Sequence, residues 1–259
     1  MQFFYRDFPT PQVTLYPLGD FHYGSRQCDV GFIKHVVKLI ADDPNGYWFG
    51  MGDMMENAII GSKSDVYLQV MPPKEQMEAI VELLKPIAKK GLFAIAGNHE
   101  QRSMRVVGLV PEQYICIQLG IPFMGYSCMG TIKLKSSHSP RTFSFYAHHN
   151  TGGGYTPGGK VNRAIALRKI APTVDATFTG HVHMTGRNPV TWFEAGETQV
   201  LKKTGYDYII GSTLTWNESY AEEKAKPAST VELIRVTFIG GTNGKHDSRR
   251  QIYEVIGKE

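Results

Sequence analysis

Five groups of residues able to hold a metal ion punctuate the first two thirds of the chain: Asp20 with His22, Asp53, Asn98 with His99 and Glu100, His148 with His149, and His181 with His183. Their donors are carboxylate, imidazole and amide, without sulfur. Such a set suits a first-row divalent ion such as Mn2+, Fe, Ni2+ or Zn2+ and does not suit a structural zinc site, where thiolates dominate. So many ligands exceed what one tetrahedral ion takes. They match two ions sharing a bridging carboxylate, which stand roughly 3.5 to 4 Å apart and clamp the oxygens of an in-line displacement at phosphorus. Phosphoester hydrolysis is the chemistry this points to.

Each group follows a short apolar run. Residues 13–18 read as a buried strand ending at Gly19, and residues 47–50 and 92–96 as two more. Ile33, Val36, Val37 and Ile40 recur at helical spacing behind Asp29 as a cap, and Asp43 and Pro44 end the stripe. Met77, Ile80, Val81, Leu84 and Ile87 predict a helix between residues 72 and 90, kinked or shortened by Pro86. Residues 111–119 form a short helix with Pro111 in its first turn and Gly120 after its end. This alternation implies parallel βαβ units. Residues 131–135 and 142–147 then read as a hairpin around His138, residues 160–170 as a helix and 176–179 as a strand. Beyond Arg187 the chain reads as strand at 191–193, 198–201, 206–211, 231–238 and 252–256, with Gly-rich turns between. Two facing sheets with helices outside would bury both halves in one core, giving a single domain over residues 1–259. The glycines ahead of the five groups permit sharp turns at the carboxyl ends of strands, where open α/β sheets bind ligands.

In order along the chain the groups read Asp-x-His, Gly-Asp, Gly-Asn-His-Glu, His and Gly-His-x-His. This pattern, from Gly19 to His183, resembles the signature of the calcineurin-like metallophosphoesterases. The resemblance implies an α/β fold, a four-layer α-β-β-α sandwich of two facing mixed β-sheets with the metal site at strand C-terminal ends. It also implies that Asp20, His22 and His183 hold one metal, that Asn98, His148 and His181 hold the other, and that Asp53 bridges them. A metal-bound hydroxide would attack phosphorus in line, while His99 stabilises the transition state or protonates the leaving oxygen and Glu100 stands beside it. His148 is chosen over His149 because it directly follows its strand. Manganese is the favoured metal.

The protein phosphatases of this superfamily extend the second block to Gly-Asp-x-x-Asp-Arg-Gly, whereas here it runs Gly52, Asp53, Met54, Met55, Glu56, Asn57, Ala58. The arginine that grips phosphate is missing at that place. A phosphodiesterase, nuclease or nucleotide hydrolase is therefore favoured over a protein phosphatase. Arg102, Arg105 and Arg26 are the candidates for contact with substrate phosphate, each weighed against a solvated surface charge. The stretch from Gly154 to Lys160 approaches a P-loop, but Val161 stands where that loop needs a hydroxyl, and a glycine-rich loop flanking the site is the plainer reading.

Composition narrows the remaining classes. With 28 Lys and Arg against 24 Asp and Glu over 259 residues, the net charge of +4 disfavours a protein that coats nucleic acid through phosphate contacts. Nucleotide or nucleic acid remains open as substrate at the site itself. Cys28, Cys116 and Cys128 are too few and too widely spaced for a disulfide framework. No signal peptide and no apolar run of membrane-spanning length stands in the sequence, so the expectation is a soluble, cytoplasmic protein without a membrane partner. His35, His138 and His246 read as solvated, and Trp48, Trp192, Trp216, Tyr126, Tyr155 and Tyr220 as packing. The reading from another class is a catalytically silent module that keeps the fold for binding. Intact ligands and His99 favour the enzyme.

Overall fold

The computed structural model describes residues 1–62, 64–135, 140–150, 156–215, 230–240 and 250–258. His138, His246, Trp216, Tyr155, Tyr220 and the Gly152–Gly154 part of the glycine-rich stretch lie outside them.

Helix α1 (Val30–Asp42) begins where the sequence places its cap, with the Asp29 carboxylate accepting from the Phe32 amide. Its stripe of Ile33, Val36, Val37 and Ile40 is buried. Helix α2 (Pro73–Leu84) gives way to a 3-10 turn (Lys85–Lys90) at Pro86, which has no amide proton to continue the ladder. Helix α3 (Glu100–Val107) is not anticipated by the sequence reading. It buries Glu100 and Ser103 while Met104, Val106 and Val107 are exposed, so the apolar stripe that announces a helix points the wrong way. Helix α4 (Pro111–Leu119) ends at Gly120, whose φ of 68° is left-handed, and α5 (Pro157–Ile165) continues into a 3-10 turn (Ala166–Lys169).

Among the described residues eleven strands build the sheet: β1 (Gln2–Phe8), β2 (Gln12–Leu18), β3 (Gly46–Gly50), β4 (Gly91–Ala94), β5 (Ser127–Leu134), β6 (Arg141–His148), β7 (Ala176–Thr179), β8 (Thr185–Ala195), β9 (Val200–Ser212), β10 (Glu232–Ile239) and β11 (Arg250–Gly257). β1 is an edge strand whose Phe4 and Phe8 face inward, a pattern hidden in the sequence by the exposed Arg6 and Asp7. The two short runs expected around Gly205 are one strand, β9. Gly205 is no turn there but a point of close approach, since a Cβ would stand 2.8 Å from the carbonyls of Val174 and Asp175.

Strand order is β1-β5-β6-β7-β9-β10-β2-β3-β4, with β8 on β9 and β11 on β10. The two expected sheets are thus joined into one mixed, curled sheet, through the pairs Ser212 with Glu232 and Gly211 with Leu233. One core cluster draws Phe49 and Phe93 from one half of this order and Phe4, Phe145 and Phe178 from the other. Phe93 of β4 stacks on Phe145 of β6 with ring centroids 5.9 Å apart. A second cluster packs α1, α2 and α4 on β2 and β3 through Ile33, Ile80, Ile115, Tyr16 and Trp48. β2, β3 and β4 run parallel, as do β6 and β7, so their carboxyl ends gather at common edges. Among the described residues no helix is long and apolar enough to cross a membrane.

Phe93 is fully buried among other rings. Its replacement by alanine should lower unfolding free energy in urea by about 3 to 5 kcal/mol, whereas a loss below 1 kcal/mol would show that the facing halves do not depend on this contact.

Candidate metal centre

The loops leaving β2 and β3 run side by side. Asp20, His22 and Tyr23 donate their amides to the carbonyls of Gly52, Asp53 and Met54 at 3.0, 3.0 and 2.9 Å. This brings the first two sequence groups together. The carboxylates are then aimed by further amides: Asp20 Oδ2 accepts from His181 and Asp53 Oδ1 from His99, each at 2.8 Å. Asp20 Oδ1 and Asp53 Oδ2 are left buried without a hydrogen bond. Such orphaned acceptors are costly unless a cation or a proton meets them.

Gly97 and Gly180 are required by proximity. A Cβ on Gly97 would collide with Asp53 Oδ1, and one on Gly180 would stand 2.8 Å from Asp20 Oδ2. The sharp turns expected of these glycines fall on the candidate ligands. Asp20, His22, Asp53, His181 and His183 have φ of 50, 48, 50, 70 and 48°, left-handed values that non-glycine residues hold only where surrounding structure imposes them.

Among the described residues three sets of side chains have ligating atoms within 4.8 Å of one another: Asp20 with His22 and His183, His22 with Asp53 and His99, and Asp53 with His149 and His181. His22 Nε2 and His183 Nε2 are 3.1 Å apart, and His183 Nε2 lies 3.4 Å from Asp20 Oδ1. Two imidazole nitrogens bound at a right angle to one ion would stand about 3 Å apart. His149 Nε2 lies 3.1 Å from Asp53 Oδ2 and 3.1 Å from Asn98 Oδ1. The donor set and its orphaned oxygens therefore fit divalent metal.

Of the pair, the geometry brings His149 to the cluster and not His148, the sequence choice. Phe143, Phe145 and Ala147 of β6 face the core, so strand alternation carries His149 into the site and turns His148 to the face of Tyr146. There His148 Nδ1 accepts from the Asn150 amide at 2.7 Å. The parity of three apolar residues was the signal that could have separated the pair. His149 Nδ1 donates to the Met51 carbonyl at 2.8 Å, which points Nε2 at the cluster.

Charge is concentrated here. Burial opposes ionisation of both carboxyls, yet His183 and His149 hold Asp20 below the usual carboxylate range, and His149 and His99 hold Asp53 well below it. Burial also opposes a charged His149, but the Asp53 carboxylate overrides this and pushes the ring up to about 10. His99 and His181 are pushed down to about 3 and about 4, chiefly by burial. Glu56, despite burial, is drawn down to about 2 by His22, whose Nδ1 lies 3.3 Å from Glu56 Oε2.

His99 is neutral and held at both nitrogens. Nδ1 donates to the Glu56 carbonyl at 2.7 Å, and Nε2 accepts from Arg102 Nη2 at 2.8 Å. Below it the Glu100 carboxylate accepts from the amides of Asp53, Gly97 and Met55 at 3.0, 3.1 and 3.3 Å. Asn57, which the sequence reading noted only for what it is not, binds the His99 carbonyl through Nδ2 at 2.7 Å and the Ser103 hydroxyl through Oδ1 at 2.9 Å. Arg105 and Arg26 are exposed, and residues 156–160 of the glycine-rich stretch form the cap and first turn of α5.

No family model and no curated protein matches the chain. Among solved structures it is similar to a conserved uncharacterised protein, described as a predicted phosphoesterase, from Streptococcus pneumoniae, at 11% identity and TM-score 0.35 over 94% of this chain and 98% of that one. It is also similar to the calcineurin-like phosphoesterase YfkN from Bacillus subtilis, at 11% identity and TM-score 0.47 over 96% and 91% of the two chains.

Two outcomes follow from this geometry. Metal counting should find His149→Ala depleted of at least one ion and His148→Ala unchanged; the reverse would restore the sequence choice. The proton on His149 stands where a metal would bind, and its folded value near 10 exceeds the free value near 6.5, so it is held at neutral pH and must leave as metal enters. Calorimetric Mn2+ affinity should therefore rise about tenfold per pH unit between pH 6.5 and 8.5, with about one proton released to buffer. Affinity independent of pH would contradict a ligating His149.

Proposed function

We propose that this chain is a calcineurin-like metallophosphoesterase, a phosphoester hydrolase working with two divalent metal ions. The observation that carries the reading is the pairing of two ligand sets, Asp20–His22–His183 and Asp53–His149–His181, with Asp53 Oδ2 only 3.9 Å from His22 Nε2. One carboxylate thus stands between both sets. Asp20, His22 and His183 would hold one ion, Asn98, His149 and His181 the other, and Asp53 would bridge. The joined halves of the sheet and their helices are, in this reading, the layers of an α-β-β-α sandwich.

Bound divalent ions supply Lewis acidity toward phosphoryl oxygens and lower the pKa of coordinated water. The residues do the remainder. Asp20 and Asp53, fixed by the His181 and His99 amides, keep one oxygen each free for the metals. His99 stands at the edge of the cluster, Nε2 3.9 Å from Asp53 Oδ2 and in hydrogen bond with Arg102, where it would stabilise charge developing at the leaving oxygen.

Asn57 in place of an arginine supports phosphodiesters, nucleic acid or nucleotides over phosphoproteins, and the oxygen and nitrogen donors support manganese. Mn2+-loaded protein should hydrolyse at least one among bis-p-nitrophenyl phosphate, p-nitrophenyl phosphate, nucleotides and single- or double-stranded DNA. Asp53→Asn should reduce that turnover by more than about a hundredfold, beyond the 10- to 100-fold typical of residues that only support a ligand. Metal-loaded protein that is inert toward the whole panel would leave the binding-module reading standing.

A further inference from the structure

We propose that Arg102, from α3, is the residue that contacts the phosphoryl oxygens of the substrate, reaching from a helix the place that position 57 leaves to an asparagine. The inference rests on the phosphoesterase reading of the site and names a specificity-determining contact within it.

The guanidinium stands at the edge of the ligand cluster. Its Nη2 is 2.8 Å from His99 Nε2, which in turn lies 3.9 Å from Asp53 Oδ2. Nη1 donates to the carbonyls of Glu56 and Asn57 at 2.9 and 3.4 Å, so the group is pinned against the very loop whose sequence lacks an arginine. The side chain is 16% exposed, neither solvated like Arg105 nor sealed in the core.

What separates it from a structural arginine is its unused hydrogen-bonding capacity. Arg168, the buried arginine behind β7 and β9, commits Nε to Asp207 Oδ1, Nη1 to the carbonyls of Pro172 and Val174, and Nη2 to that of Tyr206. Arg102 commits only Nη1 and one proton of Nη2. Each arginine leaves one Nη2 proton over; the difference is the Nε proton, which Arg168 gives to Asp207 and which in Arg102 meets no partner among the described residues. The guanidinium is partly exposed at the rim of the ligand cluster with its Nε proton to spare, and planar guanidinium donors match the paired oxygens of a phosphoryl group. Its nearest anion, Glu56 Oε1 at 3.7 Å, shares its carboxylate with His22 and His99 and leaves the cation incompletely paired.

The test measures phosphate binding as well as turnover. Wild-type protein, Arg102→Met and Arg102→Lys are loaded with Mn2+, their metal content is counted, and inorganic phosphate is titrated by calorimetry. Loss of a charge-assisted contact should raise the phosphate Kd of Arg102→Met by at least about tenfold at unchanged metal content, with partial recovery in Arg102→Lys and a KM effect exceeding the kcat effect. In the wild type, which needs no variant to fold, phosphate should slow phenylglyoxal modification of Arg102 as mapped by mass spectrometry. An unchanged Kd in Arg102→Met, or no protection of Arg102 in a wild type that binds phosphate, overturns the assignment and leaves the phosphoesterase reading intact. A wild type that takes up metal but binds no phosphate and turns over no phosphoester overturns both.

Discussion

The carboxylates of Asp20 and Asp53 are buried within a few ångströms of five imidazole rings, and the surrounding structure is arranged to hold them there. Each satisfies one oxygen with a backbone amide from another loop and leaves the other for the site. A carboxylate buried away from water is expensive unless paired. The glycines at 97 and 180 exist to let those amides close in, and the left-handed turns at five candidate ligands are the backbone strain that convergence demands. Strain of that kind, about 1 to 3 kcal/mol at each residue, persists only where neighbouring structure over-determines it.

That determination comes from layers behind the site. Glu100 gathers three amides from two loops, and Glu112 of α4 packs against it, so that burial and the adjacent Glu100 charge push Glu112 well above the usual range. Burial raises Glu100 above its ordinary value as well. On the other side Gln76 of α2, fully buried, accepts from the Asn57 amide and donates to Gln69 and the Met71 carbonyl. Helices that the hydrophobic pattern places simply as packing thus also hold the loops in register with the metal ligands.

Legibility followed chemistry and periodicity. The α1 stripe, its Asp29 cap, the Pro86 break and the order of strand-end groups could all be read because each is a local signal: a spacing of apolar residues, a cap or a missing amide. β1 and α3 escaped because their patterns are inverted or masked, with charge on an edge strand in one and Met104, Val106 and Val107 turned outward in the other. The choice between His148 and His149 was readable in principle from the alternation of Phe143, Phe145 and Ala147. Proximity to the end of the strand does not distinguish the two, since the side-chain period of two decides the face.

Residue types and their order along the chain were enough to assemble the candidate ligands and the chemistry they suit, because metal affinity resides in the donor atoms themselves. Which donors converge, and in what protonation state, was decided only by the tertiary structure. A proton on His149 depends on Asp53, 96 residues away in the chain, and the half-used guanidinium of Arg102 depends on carbonyls of a loop from another strand. Electrostatics and hydrogen bonding act through space over a few ångströms, a distance the linear sequence does not contain.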